Sequence, residues 1–186
     1  MQWRNSSSNY GLVSILMHWL VALAVVGLFA LGYWMVALTY YSSWYRTAPD
    51  IHKSVGILLF GLMLLRVVWR FVSTGPAPLP SHGGMTRLAT KAGHGLLYVG
   101  LFAVMISGYL ISTAEGRGIG VFDWFQVPAL ITSIPNQADI AGLVHEYLAW
   151  GVLILSALHA LAALKHHFID RDSTLRRMFG RADDQL

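Results

Sequence analysis

The sequence predicts an all-α membrane protein whose four transmembrane helices form a bundle. Of its 186 residues, 55% are hydrophobic and only 12% are charged, whereas about 25% are charged in a typical soluble domain. The mean hydropathy of +0.54 indicates a chain that dissolves in lipid. No Asp, Glu, Lys or Arg occurs between Arg4 and Arg46 or from Ala92 to Ala114. Either stretch can cross about 30 Å of hydrocarbon as a helix.

Four apolar segments are predicted to span the membrane, at about residues 10–41, 51–72, 94–112 and 142–166. The first segment is expected to remain in the mature protein and not to be cleaved as a secretory signal, because its apolar run exceeds the roughly 7–15 residues of such a signal. The second reaches spanning length only if Arg66 and Arg70 extend their side chains to the headgroups. Since no internal repeat is found, residues 1–186 are predicted to form a single transmembrane domain.

The connections between these segments contain turn-forming and interfacial residues. Residues 73–91 carry the run P-A-P-L-P, and residues 113–141 form a longer loop. Within that loop, residues 121–134 include Trp124, Phe125 and Pro128. This composition predicts a short interfacial helix or a re-entrant piece.

The distribution of basic residues predicts the orientation. With four spans both termini share one side, which then holds ten Lys and Arg residues against three, Arg46, Lys53 and Arg117, on the other. Because cytoplasmic loops are enriched in Lys and Arg, both termini are predicted to be cytoplasmic and loop 113–141 periplasmic. The same residues account for the pI near 9.6, so no nucleic-acid partner is predicted.

Cysteine is absent from the sequence, which excludes disulfides, thiolate-bound metals and haem attached through a C-x-x-C-H motif. Any metal centre must therefore be held mainly by histidine. The chain contains eight histidines.

Four of these histidines fall at two matching depths in the predicted helices. His145 and His159 are fourteen residues apart in the fourth segment, which places them about 40° from alignment on one helix face and separates them by roughly 21 Å. His52 is expected at the depth of His145, and His18 at the depth of His159. The pairs His52–His145 and His18–His159 are therefore predicted to bind metal inside the bundle.

Haem suits such pairs better than a bare metal ion. A porphyrin supplies four equatorial nitrogens, so its iron needs only two imidazoles, whereas zinc takes three or four protein ligands. Glycines such as Gly56, Gly61 and Gly108 would leave room for a flat ring, although glycine also permits ordinary close packing. Two haem b groups are thus the predicted cofactors. For each histidine taken alone, the alternative is an interhelical hydrogen bond.

Other polar residues near the predicted cytoplasmic side have two interpretations each. Arg66 would pair with a propionate of the haem predicted between His18 and His159, or extend its side chain into the lipid headgroups. His94 would be an alternative ligand of that haem or a group near a quinone. His166 and His167 would relay protons or be solvated.

A ubiquinone pocket is predicted from some of Ser14, Arg66, His94 and His166. His82 lies in a loop beside Gly83 and Gly84 and is expected to be exposed.

Several runs of residues resemble the bacterial cytochrome b561 family. They are S-I-L-M-H-W-L (14–20), H-K-S-V-G (52–56), R-V-V-W-R (66–70), A-G-H-G-L-L-Y (92–98), the 145–168 run from H-E-Y-L-A-W to K-H-H-F, and D-S-T-L-R-R-M (172–178). The resemblance covers nearly the whole chain. It implies a dihaem b-type cytochrome of the bacterial inner membrane, with His18, His52, His145 and His159 as the iron ligands.

Members of this family differ in their electron donors and acceptors. One oxidises superoxide at the periplasmic face and passes the electron to ubiquinone, so the resemblance implies a superoxide:quinone oxidoreductase as a candidate activity. Superoxide is an anion and would be attracted by positive charge. On the predicted periplasmic side, however, three basic residues face five acidic ones, so only a local patch near Lys53 could attract it.

Two further hypotheses remain. The chain would be a haem-bearing membrane anchor and electron conduit for a separate dehydrogenase or hydrogenase, with a periplasmic redox protein as its partner. Alternatively, it would be a histidine-based metal or proton transporter, against which the scarcity of acidic residues inside the spans argues.

Overall fold

The structure is a computed structural model and describes residues 2–180. It contains four long helices, α1 (Leu12–Met35), α2 (Thr47–Val72), α3 (Gly84–Thr113) and α4 (Gln137–Phe168). Two short strands, β1 (Ile119–Val121) and β2 (Phe125–Val127), lie between α3 and α4, and a single-turn helix α5 (Thr174–Arg177) follows. The predicted all-α class with four membrane-spanning helices is confirmed.

All four long helices can cross a membrane. They contain 24 to 32 residues, and the mean hydropathy of their most apolar windows is 1.9 to 2.4. Only 6–11% of the residues in those windows are buried inside the protein. Large apolar side chains such as Leu23 and Phe71 are instead 70% and 82% exposed. Lipid is the surrounding that makes such exposure favourable, because it solvates hydrocarbon and excludes water.

The helix ends differ from the predicted bounds by several residues. α1 ends at Met35, where hydrogen bonds from Ala37 to Trp34 and from Leu38 to Met35 tighten the chain into turns. α3 begins at Gly84, ten residues before the predicted start at His94. The added turns contain exposed polar side chains such as Arg87 and Lys91. They extend the helix beyond its apolar part, which was the only part that hydropathy could detect.

The predicted interfacial helix in residues 121–134 is wrong, because the structure has a β-hairpin there. Ile119 pairs with Val127 and Val121 with Phe125 in antiparallel register. Phe122 and Asp123 both adopt left-handed backbone angles, with φ of 46° and 60°. Two consecutive left-handed residues form the type of turn that matches the twist of a hairpin.

The described chain divides into two compact units, each of which contains one stretch of every long helix. The first unit comprises the chain up to Val21, the range Leu62–Tyr98, and the chain from Ile154 onward. The second comprises Ala22–Gly61 and Val99–Leu153, including the hairpin.

In the first unit, polar contacts join the N-terminal segment to α1 and α2. The Asn5 Oδ1 accepts hydrogen bonds from the Gly11 amide at 2.8 Å and from the Ser14 hydroxyl at 2.7 Å. The Trp19 indole donates to the Met178 carbonyl at 2.9 Å, which holds the C-terminal segment against α1. A side chain at Gly11 would overlap the backbone of Arg4, so only glycine fits at this crossing.

In the second unit, aromatic and aliphatic side chains pack between the helices. Phe29 meets Trp150 edge to face with ring centroids 4.8 Å apart, and Phe60 meets Phe102 at 5.6 Å. Val121 in the hairpin is fully buried within this unit.

Candidate functional site

His52 and His145 lie together in the second unit. Their ring centroids are 6.2 Å apart, and the ring planes are inclined at 73°. His145 Nδ1 is 2.8 Å from the Val104 carbonyl and 3.3 Å from the Ser107 hydroxyl. Because a carbonyl can only accept, Nδ1 carries the proton and donates it, which leaves Nε2 with a free lone pair. His145 is therefore oriented as a metal-binding imidazole usually is.

Two glycines pack against these imidazoles. A Cβ on Gly32 would come within 3.1 Å of His52 Cε1, and one on Gly108 within 3.0 Å of His145 Cε1. The His52 Nδ1 is buried and makes no hydrogen bond of good geometry within residues 2–180, although the Leu28 carbonyl is close enough to be an acceptor. Both rings thus occupy space that glycine leaves free.

His18 and His159 form a matching pair in the first unit. Their ring centroids are 6.1 Å apart and their planes are inclined at 65°. His94 also reaches this site, with its ring centroid 5.3 Å from that of His159. The first unit therefore brings three imidazoles together, and the second brings two.

The spacing of both pairs fits one metal between two imidazoles. Metal–imidazole bonds are about 2.0–2.1 Å long, and a ring nitrogen lies about 1 Å from its centroid, so two imidazoles on opposite sides of one iron place their centroids roughly 6 Å apart. The separations of 6.1 and 6.2 Å agree with this value. Glycines of α2 and α3 agree as well: a Cβ on Gly56, Gly61, Gly93 or Gly95 would meet nothing within 4 Å in the described chain. The residues present fit a porphyrin iron in both units.

The side chain of Arg66 contacts His18. Its Nη2 lies 3.3 Å from His18 Nδ1, and its guanidinium carbon is 5.7 Å from the centroid of the Tyr98 ring. Arg70 lies over the same ring at 5.8 Å. The guanidinium of Arg66 is therefore beside a candidate ligand, where it adds positive charge.

The Ser14 hydroxyl already has two hydrogen-bond partners. It donates to Asn5 Oδ1 at 2.7 Å and accepts from the Trp69 indole at 2.9 Å. This arrangement connects the N-terminal segment, α1 and α2 within the first unit. It also places an indole and a hydroxyl side by side near the His18 turn of α1.

The expectation that His82 is exposed is wrong. Its side chain is 14% exposed, and its Nε2 is 2.9 Å from Asp172 Oδ2. His166 joins the same cluster: its ring centroid is 4.8 Å from that of His82, and its Nδ1 is 2.7 Å from Asp170 Oδ2. A partner 90 residues away in the chain left no signal in the local sequence of His82.

Sequence reasoning also missed three contributors to the histidine sites. They are the Val104 carbonyl, the ring of Tyr98 and Gly32. Gly32 could have been noticed, because it shares a helix with His18 and is one of several glycines in the spans. The other two depend on contacts between helices, which no local pattern contains.

Long apolar helices that carry facing pairs of imidazoles define the class of membrane proteins that hold haem between histidines. A comparison with protein families agrees with this class: the sequence model of the prokaryotic cytochrome b561 family matches residues 9–181. The chain belongs to the prokaryotic cytochrome b561 family, which implies b-type haem. It is accordingly a membrane-associated redox protein that passes several times through a bacterial membrane.

Relatives at two levels of similarity support this assignment. The chain is 55% identical over 182 residues to cytochrome b561 homolog 2 of Escherichia coli (strain K12), covering 98% of this chain and 97% of the relative. It is 28% identical to cytochrome b561 homolog 1 of the same strain, over 94% of this chain and 98% of the relative. A Yersinia pestis protein named a probable superoxide oxidase, CybB, is 30% identical over 91% of this chain and 95% of its own length.

Proposed function

We propose that this protein is a dihaem b-type cytochrome that passes electrons from a donor on the periplasmic side of the inner membrane to membrane quinone. The observation that carries the proposal is the repeated geometry of His52–His145 and His18–His159. Two pairs in separate parts of the chain have centroid separations that differ by only 0.1 Å, 6.1 against 6.2 Å. Ordinary interhelical hydrogen bonding would impose no such common value.

Each histidine pair would hold the iron of one haem. Bound haem contributes one-electron chemistry through the ferric and ferrous states of its iron. In the second unit, the Val104 carbonyl holds the proton of His145 on Nδ1, so Nε2 remains available to the metal throughout. The absence of a side chain at Gly108 leaves room for the same ring.

In the first unit, Arg66 would hold the anionic part of a haem. Its guanidinium lies 3.3 Å from Nδ1 of His18. A haem propionate is an anion that a guanidinium could bind in a forked geometry.

A quinone site near His18 and His159 is part of the proposal. His94, at 5.3 Å from His159, and Arg66 present the donors that a quinone carbonyl requires. Ser14 contributes through its bond with Trp69, whose indole would be released if the hydroxyl turned to a ligand. His166 is engaged with acidic residues, so it would contribute to the quinone site only if those contacts opened.

Superoxide is the candidate donor, and the support for it is the name of the Yersinia pestis relative. The electrostatics of the second unit do not add to it. Lys53 pairs with Asp50 at 2.8 Å, and Arg117 pairs with Glu115 at 3.2 Å. These ion pairs cancel the positive charge that would attract an anion.

The same ion pairs favour a second candidate function. A haem-bearing anchor that receives electrons from a redox protein needs no field for a small anion. It needs a docking face of mixed charge, and exposed acidic and basic groups of this kind provide one. In this alternative the electron donor is a protein subunit, such as a dehydrogenase or hydrogenase.

The haem content of single variants tests the proposed ligands. The purified protein should contain two haems per chain by pyridine haemochrome assay, with an absorbance change on dithionite reduction. His52→Ala and His18→Ala should each reduce the ratio to one. His167→Ala, a change in the same protein outside both pairs, should keep it at two. A ratio of two in either ligand variant would refute the assignment.

The choice between His18 and His94 as partner of His159 needs its own comparison. We expect His94→Ala to retain two haems but to lower the rate of quinone reduction, whereas His18→Ala loses a haem. The reverse result would make His94 the ligand.

The choice of donor is tested by supplying superoxide to the oxidised protein in detergent, with and without ubiquinone. Rapid haem reduction followed by formation of ubiquinol supports the superoxide:quinone activity. Reduction only in the presence of a co-purified redox protein would instead support the anchor and conduit function.

A further inference from the structure

A group of three metal-binding side chains lies in the first unit, apart from the paired histidines. It joins the loop that follows α2, the last turn of α4 and the segment after α4 through His82, His166 and Asp172. One donor atom from each residue lies within 4.8 Å of the other two. Their side chains are only 14%, 17% and 9% exposed. Polar groups this well buried require partners.

The two oxygens of the Asp172 carboxylate are divided between different tasks. Oδ1 accepts the backbone N–H of Thr174 at 2.8 Å, which fixes the orientation of the carboxylate. Oδ2 faces both imidazoles, at 2.9 Å from His82 Nε2 and 3.3 Å from His166 Nδ1. Burial raises the pKa of Asp172, but hydrogen bonds from Thr174 and His82 bring it below its usual value, so the group is an anion at neutral pH.

We propose that His82, His166 and Asp172 bind a divalent transition-metal ion, with zinc as the best match. Two imidazole nitrogens and one carboxylate oxygen are donors that zinc takes in open sites, where water completes the tetrahedron. Bonds of about 2.0–2.1 Å in a tetrahedron place neighbouring donors roughly 3.3 Å apart. The two measured separations from Asp172 Oδ2 are 3.3 Å, which equals that value, and 2.9 Å, which is somewhat shorter.

The neighbouring Asp170 remains outside the set of ligands. Both its oxygens are bound by Lys165, at 2.9 and 2.7 Å from Nζ. The ammonium neutralises this carboxylate and holds it beside His166 Nδ1, at 2.7 Å. Asp170 and Asp172 thus face the same nitrogen of His166, so an ion bound to Nδ1 would replace the contact with Asp170.

The segments that supply the ligands are already held together by other bonds. Arg177 Nη1 donates to the Ala77 carbonyl at 3.0 Å, joining α5 to the loop that carries His82. The Trp19 indole holds Met178 against α1. Little ordering remains for a metal to impose, and a preorganised site binds more tightly than one that must first assemble. This site shares no ligand with the proposed haem pairs.

Zinc binding to the whole haem-loaded protein tests the proposal. The protein is purified in detergent without a polyhistidine tag, stripped with a chelator, and equilibrated with Zn²⁺ by dialysis. Elemental analysis should give one tightly bound zinc per chain. X-ray absorption at the zinc edge should show two imidazoles and further oxygen ligands. If zinc does not bind saturably, or if its ligands are all oxygens, the proposed metal site is wrong. His82 and Asp172 would then form only an ion pair.

Matched variants locate the bound ion. His82→Ala and Asp172→Asn should weaken zinc binding by about 100-fold or more, since loss of an outer-shell partner alone costs 10–100-fold. Asp172→Asn keeps the acceptor for Thr174, and unchanged haem absorbance in each variant confirms that it is folded. His167→Ala, which removes the adjacent histidine, should leave the affinity unaltered. Equal affinity in wild type and Asp172→Asn, or equal loss in His167→Ala, would contradict the assignment.

Discussion

His145 shows how a single hydrogen bond can select the tautomer of an imidazole. The Val104 carbonyl can accept only the Nδ1 proton, at 2.8 Å, and therefore selects the tautomer that leaves Nε2 free. His52, its partner in the second unit, has no such strong bond and is positioned mainly by packing against Gly32. The two rings of one pair thus depend on different interactions, which mutations can separate.

Replacing Gly32 with alanine should disturb the His52 ring. The new methyl group would lie 3.1 Å from His52 Cε1, so the ring must shift by a few tenths of an ångström or turn. We expect a changed reduction potential, measured by redox titration, or a partial loss of one haem, measured by haem assay. Gly27→Ala is the control in the same helix, because its Cβ meets nothing within 4 Å in the described chain. It should be neutral or stabilise the helix by about 0.5–1 kcal/mol. Identical titrations for both variants would contradict the packing argument.

Replacing Arg66 with glutamine should lower the reduction potential of the haem that we propose between His18 and His159. A positive charge nearby disfavours the ferric state, which carries one more positive charge than the ferrous state, so its removal favours oxidation. The shift should be on the order of tens of millivolts, measured by spectroelectrochemistry. Arg70→Gln provides the comparison, since Arg70 lies over Tyr98 but is exposed. A larger shift in Arg70→Gln would show that Arg66 is not the group beside this haem.

Among the secondary-structure elements, the hairpin and the segment after it depend on a few polar anchors. Ser54 in α2 accepts the Phe122 N–H at 3.2 Å and donates to the Gly120 carbonyl at 3.4 Å. The Tyr109 hydroxyl in α3 accepts from Leu130 and donates to Pro128, both at 2.8 Å. Helix side chains thus satisfy loop backbone groups, which explains why a strand pair forms where an isolated helix was predicted.

Gln137 at the start of α4 is expected to be a stabilising anchor of this region. It is 5% exposed, and its side-chain amide donates to the Leu110 and Ile131 carbonyls at 3.0 Å each. Gln137→Ala should destabilise the protein by about 1–3 kcal/mol, because it removes two hydrogen bonds that are each worth about 0.5–1.5 kcal/mol. Thermal unfolding followed by circular dichroism measures this. Gln126→Ala, at an exposed position of β2, should unfold at the wild-type temperature. A wild-type melting temperature for Gln137→Ala would show that other donors replace the amide.

For the whole molecule, the number of spans and the distribution of basic residues predict the orientation of the chain in the membrane. Four helices of spanning length return the C-terminus to the side of the N-terminus, and the excess of Lys and Arg predicts that this side is cytoplasmic. A fluorescent protein fused to the C-terminus should therefore fluoresce, and alkaline phosphatase fused there should be inactive. The opposite pattern is expected for insertions in residues 113–141. Active phosphatase at the C-terminus would reverse the topology.

The class of the molecule and the histidine pairs follow from the sequence alone, because hydropathy and helical spacing are local properties of the chain. A run of apolar residues long enough to cross a bilayer folds as a helix in lipid whatever its neighbours are. Histidines at set positions on such helices come to matching depths by arithmetic. The helices, the four spans and the proximity of His52 to His145 and of His18 to His159 were therefore predictable.

Only the tertiary structure could decide the remaining features, since they depend on contacts between residues far apart in the chain. The hairpin replaces the predicted interfacial helix because Ser54 bonds to the backbone of Gly120 and Phe122. His82 is mostly covered instead of exposed, and Asp172, 90 residues later, bonds to it. Such partners are chosen by packing in three dimensions, and a hydrogen bond between them leaves no period or composition in the sequence to be read.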